Sequence, residues 1–147
     1  MKAVVDASAI VRAVLPGQPY HAEVRRWLAG VTELLAPHLL PFEVTTAIRH
    51  LEFTGVVPPD AAEAALAEAL RLRVRLWTPR SLYLQALRLA RELGISRTHD
   101  AAYLALAVHA SCPLFTLDER FIRNATTHGY PVRHPAHHPS LEPTSPS

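Results

Sequence analysis

Short apolar segments alternate along this chain with longer segments in which apolar residues recur at helical spacing. The predicted strands are residues 2–6, 34–36, 74–77, 113–116 and, at an edge, 130–133. The predicted helices are residues 7–15, 20–29, 38–53, 58–72, 79–94, 99–110 and 118–125. Short apolar strands that alternate with helices favour a mainly parallel sheet with both faces covered. The sequence therefore predicts an α/β fold.

The length of the chain and the composition of its C-terminal end predict a single domain. A chain of 147 residues is long enough to bury a core, and its 49% hydrophobic content argues against disorder. From His134 onward the sequence has four prolines and almost no apolar residues, a composition that cannot form a core. We therefore predict a folded domain over residues 1–133 and a disordered tail, rich in proline and histidine, over residues 134–147.

Cysteine content and hydropathy indicate where such a chain works. The single cysteine, Cys112, excludes an internal disulfide and fits a reducing compartment. No apolar run approaches the roughly 20 residues of a membrane span, and the stretch before Asp6 is too short for the core of a signal peptide. We therefore expect a cytoplasmic protein with no membrane partner. The net charge of +2 does not by itself establish a nucleic-acid partner.

Two aspartates lie where predicted strands end. Asp6 closes the first strand, and Asp118 comes two residues after Thr116, at the end of a later strand. In open parallel sheets, ligands bind beyond the carboxyl ends of the strands, so both side chains are expected at the same rim. Each aspartate on its own is also an ordinary cap for the helix that follows it. Each position therefore fits either a helix cap or a ligand site.

Two further acids lean toward the apolar faces of predicted helices. Glu43 borders the stripe that includes Leu40 and Ala47. Asp100 lies one helical turn before Leu104. A carboxylate that faces inward costs desolvation free energy unless a positive group meets it. The candidate positive partners are Arg12, Arg49 and Arg97, so a structural ion pair and a metal site remain alternatives for each acid taken alone.

Taken together, the four acids predict a site for a divalent cation. Carboxylates that lie close together raise one another's pKa, and a divalent cation relieves the repulsion. A set of oxygen ligands selects Mg²⁺ or Mn²⁺ over zinc. Such a site activates water and holds the oxygens of a phosphodiester during in-line attack. We therefore predict a metal-dependent phosphodiester hydrolase whose catalytic acids are Asp6, Glu43, Asp100 and Asp118.

Four segments around these acids resemble the PIN domain family, and within it the VapC-type toxins of toxin–antitoxin pairs. The segments occur in the order typical of the family, and together they span residues 4–121. They are Val4-Val5-Asp6-Ala7-Ser8-Ala9-Ile10, Leu40-Pro41-Phe42-Glu43-Val44, Asp100-Ala101-Ala102-Tyr103-Leu104-Ala105-Leu106-Ala107 and Thr116-Leu117-Asp118-Glu119-Arg120-Phe121. The third and fourth segments are fairly specific, and the four together are a strong signal.

The resemblance implies a three-layer α/β/α sandwich with a short, mainly parallel central sheet. It implies an enzyme that uses Mg²⁺ or Mn²⁺ to cleave single-stranded regions of RNA. The metal ligands carried over from the family pattern are Asp6, Asp100 and Asp118, with Glu43 as a further catalytic acid. The implied partners are the RNA substrate, a second copy of the chain in a homodimer, and a small antitoxin protein.

Polar residues around the acids complete the expected site. Ser8 and Thr116 match polar positions of the family, whose side chains hydrogen-bond the carboxylates or metal-bound water. His99 and Arg12 are candidate contacts to the RNA substrate. The sequence departs from the family at Thr46, where asparagine is common, and at His99, where tyrosine is common. Neither departure removes a metal ligand, so both concern substrate fit or rate.

The surface on which an antitoxin would dock is also an expectation from the sequence. Apolar residues on the predicted helix that contains Trp27 and Leu28, and on the helix that begins at Pro58, offer such a flank. The resemblance implies that the tail of the antitoxin lies across the acidic pocket. An arginine from a partner can pair with two carboxylates at once, and would then occupy the position of the metal.

Other functions meet specific obstacles in the sequence. A phospho-receiver domain needs a lysine near its last strands, and the only lysine is Lys2. A phosphatase of the haloacid-dehalogenase type needs a second aspartate at position 8, which is Ser8. The five glycines form neither a phosphate-binding loop nor a dinucleotide fingerprint. The alternatives that remain are a PIN-fold interaction module without activity and a housekeeping RNA-processing nuclease.

Overall fold

The central sheet in the computed structural model, which describes residues 1–137, has five parallel strands. In chain order they are β1 (Lys2–Val5), β2 (Glu33–Ala36), β3 (Val74–Leu76), β4 (Leu114–Phe115) and β5 (Val132–Arg133). Their order across the sheet is β3-β2-β1-β4-β5. Three consecutive residues of β1 are fully buried, so both faces of this strand are covered. The predicted α/β fold is therefore confirmed.

Helices fill the connections between the strands. Within residues 1–137 they are α1 (Ala7–Val14), α2 (His21–Ala29), α3 (Leu40–Phe53), α4 (Pro59–Arg71), α5 (Leu82–Leu93), α6 (His99–His109), α7 (Glu119–Thr127) and a 3-10 turn (Pro135–His137). Helix α1 packs on α2, α3 and α4, whereas α5 packs mainly on α6. None of the helices in this part of the chain is long and apolar enough to cross a membrane.

Two helices begin more than one residue later than the sequence predicts. Helix α3 begins at Leu40 rather than at residue 38, because the amide of His38 donates a hydrogen bond to Oγ1 of Thr78 (2.9 Å). Helix α5 begins at Leu82 rather than at residue 79, after a turn closed by the hydrogen bond from the Leu82 amide to the Pro79 carbonyl (2.8 Å). Neither shift moves an acid out of its predicted helix.

The direction in which successive strands are added to the sheet reverses between β1 and β4. The chain adds β2 and β3 on one side of β1, and it then returns to add β4 and β5 on the other side. Val5 and Phe115 are paired in the register of β1 and β4, so these two strands end side by side. A crevice at such a reversal of strand order is where open α/β sheets bind ligands. The topology therefore places the segments that follow β1 and β4 at one ligand-binding edge.

Trp27 lies in the hydrophobic core. Its side chain is 2% exposed, and its ring centroid is 4.6 Å from that of Phe115. The expectation that Trp27 contributes to an antitoxin-docking surface is therefore wrong, because the apolar face of α2 is used to cover the sheet. On the helix that follows Pro58, Leu70 is 63% exposed and remains available to a partner.

Residues 134–137 differ from the disordered tail that the sequence predicts. His134 and Pro135 are buried, and the 3-10 turn packs against α2. The ring of Tyr20 lies edge-on to His134 and His137, with centroid distances of 4.9 and 5.8 Å. Histidine has a flat, partly apolar ring, so a segment poor in aliphatic residues can still pack against an aromatic side chain. The remaining residues of the predicted tail, 138–147, lie outside the described residues.

Candidate active site

Asp6 is both a helix cap and a residue of the crevice between β1 and β4. It follows β1, and its Oδ1 accepts hydrogen bonds from the amide of Ala9 (3.3 Å) and from Oγ of Ser8 (2.6 Å). The cap satisfies a free amide in the first turn of α1. Both bonds end on the same oxygen, Oδ1. Asp6 can therefore cap the helix and also belong to a ligand site, which are the two interpretations that the sequence left open.

Asp118 occupies the equivalent position after β4. Its Oδ1 accepts a hydrogen bond from the amide of Phe121 (3.0 Å) and so caps α7. The amide of Asp118 donates to Oγ1 of Thr116 (3.1 Å). Oγ of Ser8 accepts the amide of Leu117 (3.0 Å), and it lies 3.4 Å from Oγ1 of Thr116. Ser8 and Thr116 therefore hold together the two strand ends that carry the aspartates.

Glu43 enters the site from the first turn of α3. Its Oε1 accepts a hydrogen bond from the hydroxyl of Tyr103 on α6 (2.6 Å). Nδ1 of His99, at the start of α6, lies 3.6 Å from Oε2 of Glu43. Burial, followed by the hydrogen bond to Glu43, raises the pKa of Tyr103, which therefore remains a protonated donor. The glutamate is thus oriented by two residues of the helix that carries Asp100.

The four predicted acids line a single cleft of about 720 Å³. The other predicted site residues, Ser8, Arg12 and His99, line it as well. Thr116 reaches the same site through its hydrogen bonds. Further polar residues of the wall are Gln18, Thr46, His50, Arg97 and Tyr103. The structure therefore brings together every side chain that the sequence proposes for the site.

Burial is the main electrostatic influence on Asp6. It raises the pKa of Asp6 to about 6, although hydrogen bonds from Ser8, Thr116 and the Ala9 amide act in the opposite direction. The negative charge of Asp100 adds a smaller upward contribution. A buried carboxylate whose pKa is raised carries its charge at a cost, and a cation placed beside it would offset that cost.

Asp100 has the same kind of perturbation, with a larger part played by its neighbours. Burial raises its pKa, and the negative charges of Asp118 and Glu43 raise it further. The nearby His99 and Arg97 lower it. Asp100 is thus surrounded by like charge from two other elements of the fold. This mutual repulsion indicates that the acids belong to one electrostatic unit.

Positive side chains of the cleft form no ion pair with Asp6, Asp100 or Asp118 within residues 1–137. Nη1 of Arg12 donates to the side chain of Gln18 (3.4 Å) and to the carbonyl of Pro19 (3.5 Å), which directs it away from a carboxylate pair. His99 is 67% exposed beside Glu43. Among residues 1–137, no ion pair includes Asp6, Asp100 or Asp118. The structural ion pair considered from the sequence is therefore absent for these three acids in the part of the chain that the structure describes.

The donor chemistry of the cleft fits a hard divalent cation. The acids offer only oxygen ligands, which Mg²⁺ and Mn²⁺ prefer. The oxygens of the four acids do not form a closed cage, since no three of the acids bring oxygens within 4.8 Å of one another. Within residues 1–137, three ligand atoms come that close only at Glu119, His134 and His137. Mg²⁺ keeps several of its waters and commonly binds through one or two carboxylates, so an open arrangement of acids suits it.

Tyr103 is the residue that sequence reasoning did not assign. It lies three residues after Asp100, so the two side chains share one face of α6. Its spacing from Asp100 was therefore visible in the sequence. The partner of its hydroxyl was not, because Glu43 lies 60 residues away along the chain. A tyrosine one turn after a helical acid is the signal that could have identified it.

Comparison with known proteins agrees with this geometry. Residues 3–126 match the family model of the PIN domain. The chain belongs to the PIN domain family. The predicted resemblance is therefore confirmed, and all four acids of the cleft lie within the matched residues.

The relatives of this PIN domain include proteins named VapC. It is 37% identical over 118 residues to ribonuclease VapC1 of Mycobacterium tuberculosis, an alignment that covers 80% of this chain and 86% of VapC1. It is 33% identical over 127 residues to ribonuclease VapC12 of the same organism, covering 86% and 92% of the two chains. The similarity therefore extends over most of each relative and over most of this chain, which carries the four acids.

A solved structure supports the same fold. The crystal structure of M. tuberculosis VapC20, described as a toxin that cleaves the sarcin–ricin loop, superposes on this PIN domain with a TM-score of 0.65. The match covers 87% of this chain and 95% of VapC20 at 22% sequence identity. At that level of identity the similarity concerns the fold. The α/β/α architecture expected from the resemblance is thereby confirmed.

Proposed function

We propose that this PIN domain is a metal-dependent endoribonuclease that hydrolyses single-stranded regions of RNA. The observation that carries the proposal is the convergence of four acids in one cleft, three of which have no ion-pair partner within residues 1–137. Asp6 and Asp100, whose pKa values burial raises, carry their charge at a cost to the fold without an ion pair to offset it, so their presence favours a role in binding and chemistry.

The residues that would hold Mg²⁺ or Mn²⁺ are Asp6, Asp100 and Asp118, with Glu43 as a further acid beside them. When bound, such an ion neutralises developing charge on the phosphate and lowers the pKa of water. In the proposed reaction the oxygen of a water molecule attacks phosphorus and gives up a proton, while the P–O3′ bond breaks and the departing O3′ takes up a proton. The products are a 5′-phosphate and a 3′-hydroxyl.

Hydrogen bonds from neighbouring residues hold the acids of this site in position. Ser8 holds one oxygen of Asp6 and accepts the amide of Leu117, so it keeps the ends of β1 and β4 in register. Tyr103 holds Oε1 of Glu43, which leaves Oε2 toward the side of His99. Such supporting hydrogen bonds orient ligating carboxylates and affect metal affinity.

Positive groups at the wall of the cleft would contact the RNA backbone. Arg12, Arg97 and the exposed His99 line the cleft beside the acids. Gln18 holds the guanidinium of Arg12 in a defined position. Arginine presents a planar set of donors that suits phosphate oxygens. A single strand is the expected substrate, because its unpaired bases can be splayed out around an enzyme.

We further propose that the nuclease is the toxin of a toxin–antitoxin pair and acts as a homodimer. The similarity to VapC1 and VapC12, which share the VapC name with the toxin VapC20, supports the toxin class. Exposed apolar side chains on α5, among them Tyr83 (70%) and Leu87 (49%), offer a face for a second copy. A small antitoxin would supply a cationic side chain to the acids and thereby block the cleft.

The test is cleavage of RNA by the purified chain with Mg²⁺ or Mn²⁺, followed by analysis of the product ends. We expect 5′-phosphate and 3′-hydroxyl ends, and no cleavage with EDTA. Asp100→Asn should abolish cleavage, whereas Asp60→Asn, an exposed acid on α4, should cut like the wild type. Cleavage that persists in EDTA, or 2′,3′-cyclic ends, would overturn the proposed mechanism.

A further inference from the structure

A second group of metal-ligating side chains lies outside the acidic cleft. One ligand atom from each of Glu119, His134 and His137 lies within 4.8 Å of the other two. Glu119 is in the first turn of α7, directly after Asp118. His134 follows β5, and His137 ends the 3-10 turn. Glu119 therefore meets two histidines that lie at least 15 residues after it in the chain.

Packing holds the two histidines in place. The side chain of His134 is buried, at 6% exposure, and its ring centroid is 4.4 Å from that of His137. The ring of Tyr20, a residue with φ of 66°, lies edge-on to both. A ligand side chain fixed by its neighbours loses little entropy when it binds an ion. The two imidazoles are therefore pre-organised beside Glu119.

The ligand set differs in kind from that of the acidic cleft. Two imidazole nitrogens and one carboxylate suit Zn²⁺ and related transition metals, whereas Mg²⁺ requires oxygen ligands. Burial, and then the neighbouring His137, lowers the pKa of His134, although Glu119 raises it. The neutral ring is the form that binds a metal.

One hydrogen bond defines what binding would change. Nδ1 of His134 accepts the amide of Ala136 (3.1 Å). A neutral imidazole has one free lone pair, so an ion bound to this ring either takes the lone pair of Nδ1 or forces the proton onto Nδ1. In both cases the Ala136 amide loses its acceptor. Binding of an ion at His134 should therefore be detectable as the loss of the hydrogen bond from the Ala136 amide.

We propose that Glu119, His134 and His137 form a binding site for a Zn²⁺ ion, separate from the catalytic acids. The ion ties the turn at residues 135–137 to the first turn of α7, whose cap is Asp118. Three protein ligands leave a fourth position for water or another ligand. This site does not depend on the proposed ribonuclease activity, since none of its three residues lines the acidic cleft.

The test is titration of the full chain with Zn²⁺ alone, by calorimetry, in an Asp100→Asn background that weakens cation binding in the acidic cleft. We expect one bound ion. His137→Ala removes a ligand from an exposed position and should weaken Zn²⁺ binding at least about tenfold, since loss of an outer partner of a ligand already costs roughly 10–100-fold. The matched control is His128→Ala, an exposed histidine at the end of α7, which should bind Zn²⁺ with unchanged affinity.

Nuclear magnetic resonance gives a second readout that does not depend on affinity. Zn²⁺ should shift the amide resonance of Ala136, because this amide loses its acceptor, and the shift should be absent in His137→Ala. Mg²⁺ at the same concentration should leave it unmoved. Any of three results would overturn the proposed site. One is wild-type Zn²⁺ affinity in His137→Ala, and another is an Ala136 resonance that Zn²⁺ does not shift. The third is a loss of Zn²⁺ binding in His138→Ala but not in His137→Ala.

Discussion

The hydroxyl of Tyr103 donates a 2.6 Å hydrogen bond to Oε1 of Glu43, and this bond joins α6 to α3 across the acidic cleft. Tyr103 is 1% exposed, whereas Glu43 is half-buried. The buried partner therefore fixes the more accessible one. Asp100 lies on the same helix as Tyr103, so the bond also sets how far Glu43 stands from Asp100.

Tyr103→Phe removes this hydroxyl and keeps the ring. We expect the concentration of Mn²⁺ needed for half-maximal cleavage to rise roughly tenfold, in the range of other partners of metal ligands. A hydrogen bond to a charged group contributes about 1.5–3 kcal/mol, and water can partly replace it at Glu43. We therefore expect the free energy of unfolding to fall by about 1 kcal/mol. The measurements are cleavage rates over a range of Mn²⁺ concentrations, and denaturant unfolding.

The matched control is Tyr130→Phe. The hydroxyl of Tyr130 also donates to a glutamate, Glu92, at 2.8 Å, but this pair is exposed and outside the cleft. Tyr130→Phe should leave the dependence on Mn²⁺ unchanged. If both variants change that dependence equally, the Tyr103 bond has no special function in the site.

The raised pKa of Asp6 predicts an unusual dependence of stability on pH in the metal-free protein. The folded-state pKa is about 6 and the ordinary value is 3.8, so between these values the folded state holds the proton more tightly than the unfolded chain does. The free energy of unfolding should therefore fall as the pH rises from about 4 to about 6. Each pKa unit corresponds to about 1.4 kcal/mol, which puts the contribution of Asp6 at up to about 3 kcal/mol. The measurement is urea unfolding in EDTA at several pH values.

Asp6→Asn isolates the contribution of this one acid. Asparagine keeps the Oδ1 acceptor that caps α1, so the helix start should survive. The variant should lose much of the fall between pH 4 and 6, and in EDTA at pH 7 it should be more stable than the wild type. Parallel curves for the two proteins would show that burial of Asp6 does not carry this cost.

Mn²⁺ should reverse the destabilisation caused by the acids. A ligand that binds only the folded state stabilises it by about 2.7 kcal/mol at a hundredfold excess over its Kd. For a domain of this size that corresponds to a rise in Tm of about 8 °C. We expect this rise in the wild type and in Glu23→Gln, an acid outside the cleft, and a much smaller rise in Asp6→Asn. The measurement is a thermal melt with and without Mn²⁺.

Histidines near the C-terminus are the alternative source of such a rise. Deleting residues 134–147 would also remove His134 and Pro135, which are buried. The better control is His137→Ala, which removes one exposed ring from the turn. An equal rise in the wild type and Asp6→Asn that disappears in His137→Ala would assign the Mn²⁺ effect to these histidines.

The convergence of the acids could be predicted because it follows from local rules. Parallel strands end at one edge, which brings Asp6 and Asp118 together. Helical periodicity places Glu43 and Asp100 toward the apolar, inward faces of their helices. The bond between Tyr103 and Glu43 depends on how closely α6 approaches α3, a tertiary distance that no local pattern contains.

The ordered turn after β5 escaped prediction for a related reason. Proline and histidine in a segment poor in aliphatic residues indicate disorder when only composition is considered. The packing of His134 depends on Tyr20, more than 100 residues earlier in the chain. Aromatic contacts of this kind replace the aliphatic contacts that a sequence pattern can reveal. The boundary of a domain is thus harder to predict than its central strands.

If the chain is a toxin, its expression alone should slow bacterial growth. Cleavage of cellular RNA is the expected cause, so growth should recover when a small antitoxin encoded beside the gene is expressed with it. An arginine from such a partner can pair with two carboxylates at once, in the position of the cation. The measurement is the growth rate after induction, with and without the partner.

Asp100→Asn separates toxicity from partner binding. The variant removes one charge from the cleft and leaves the apolar exposed surfaces of α4 and α5 unchanged, so it should be harmless and still form a dimer and bind the antitoxin. Growth inhibition as strong as that of the wild type would place the source of toxicity outside the cleft. If neither protein slows growth and no small partner co-purifies, the ribonuclease activity belongs to housekeeping RNA processing. Cleavage of purified RNA by the wild type would then persist without any effect on growth, because the acids that carry out the chemistry are the same in both cases.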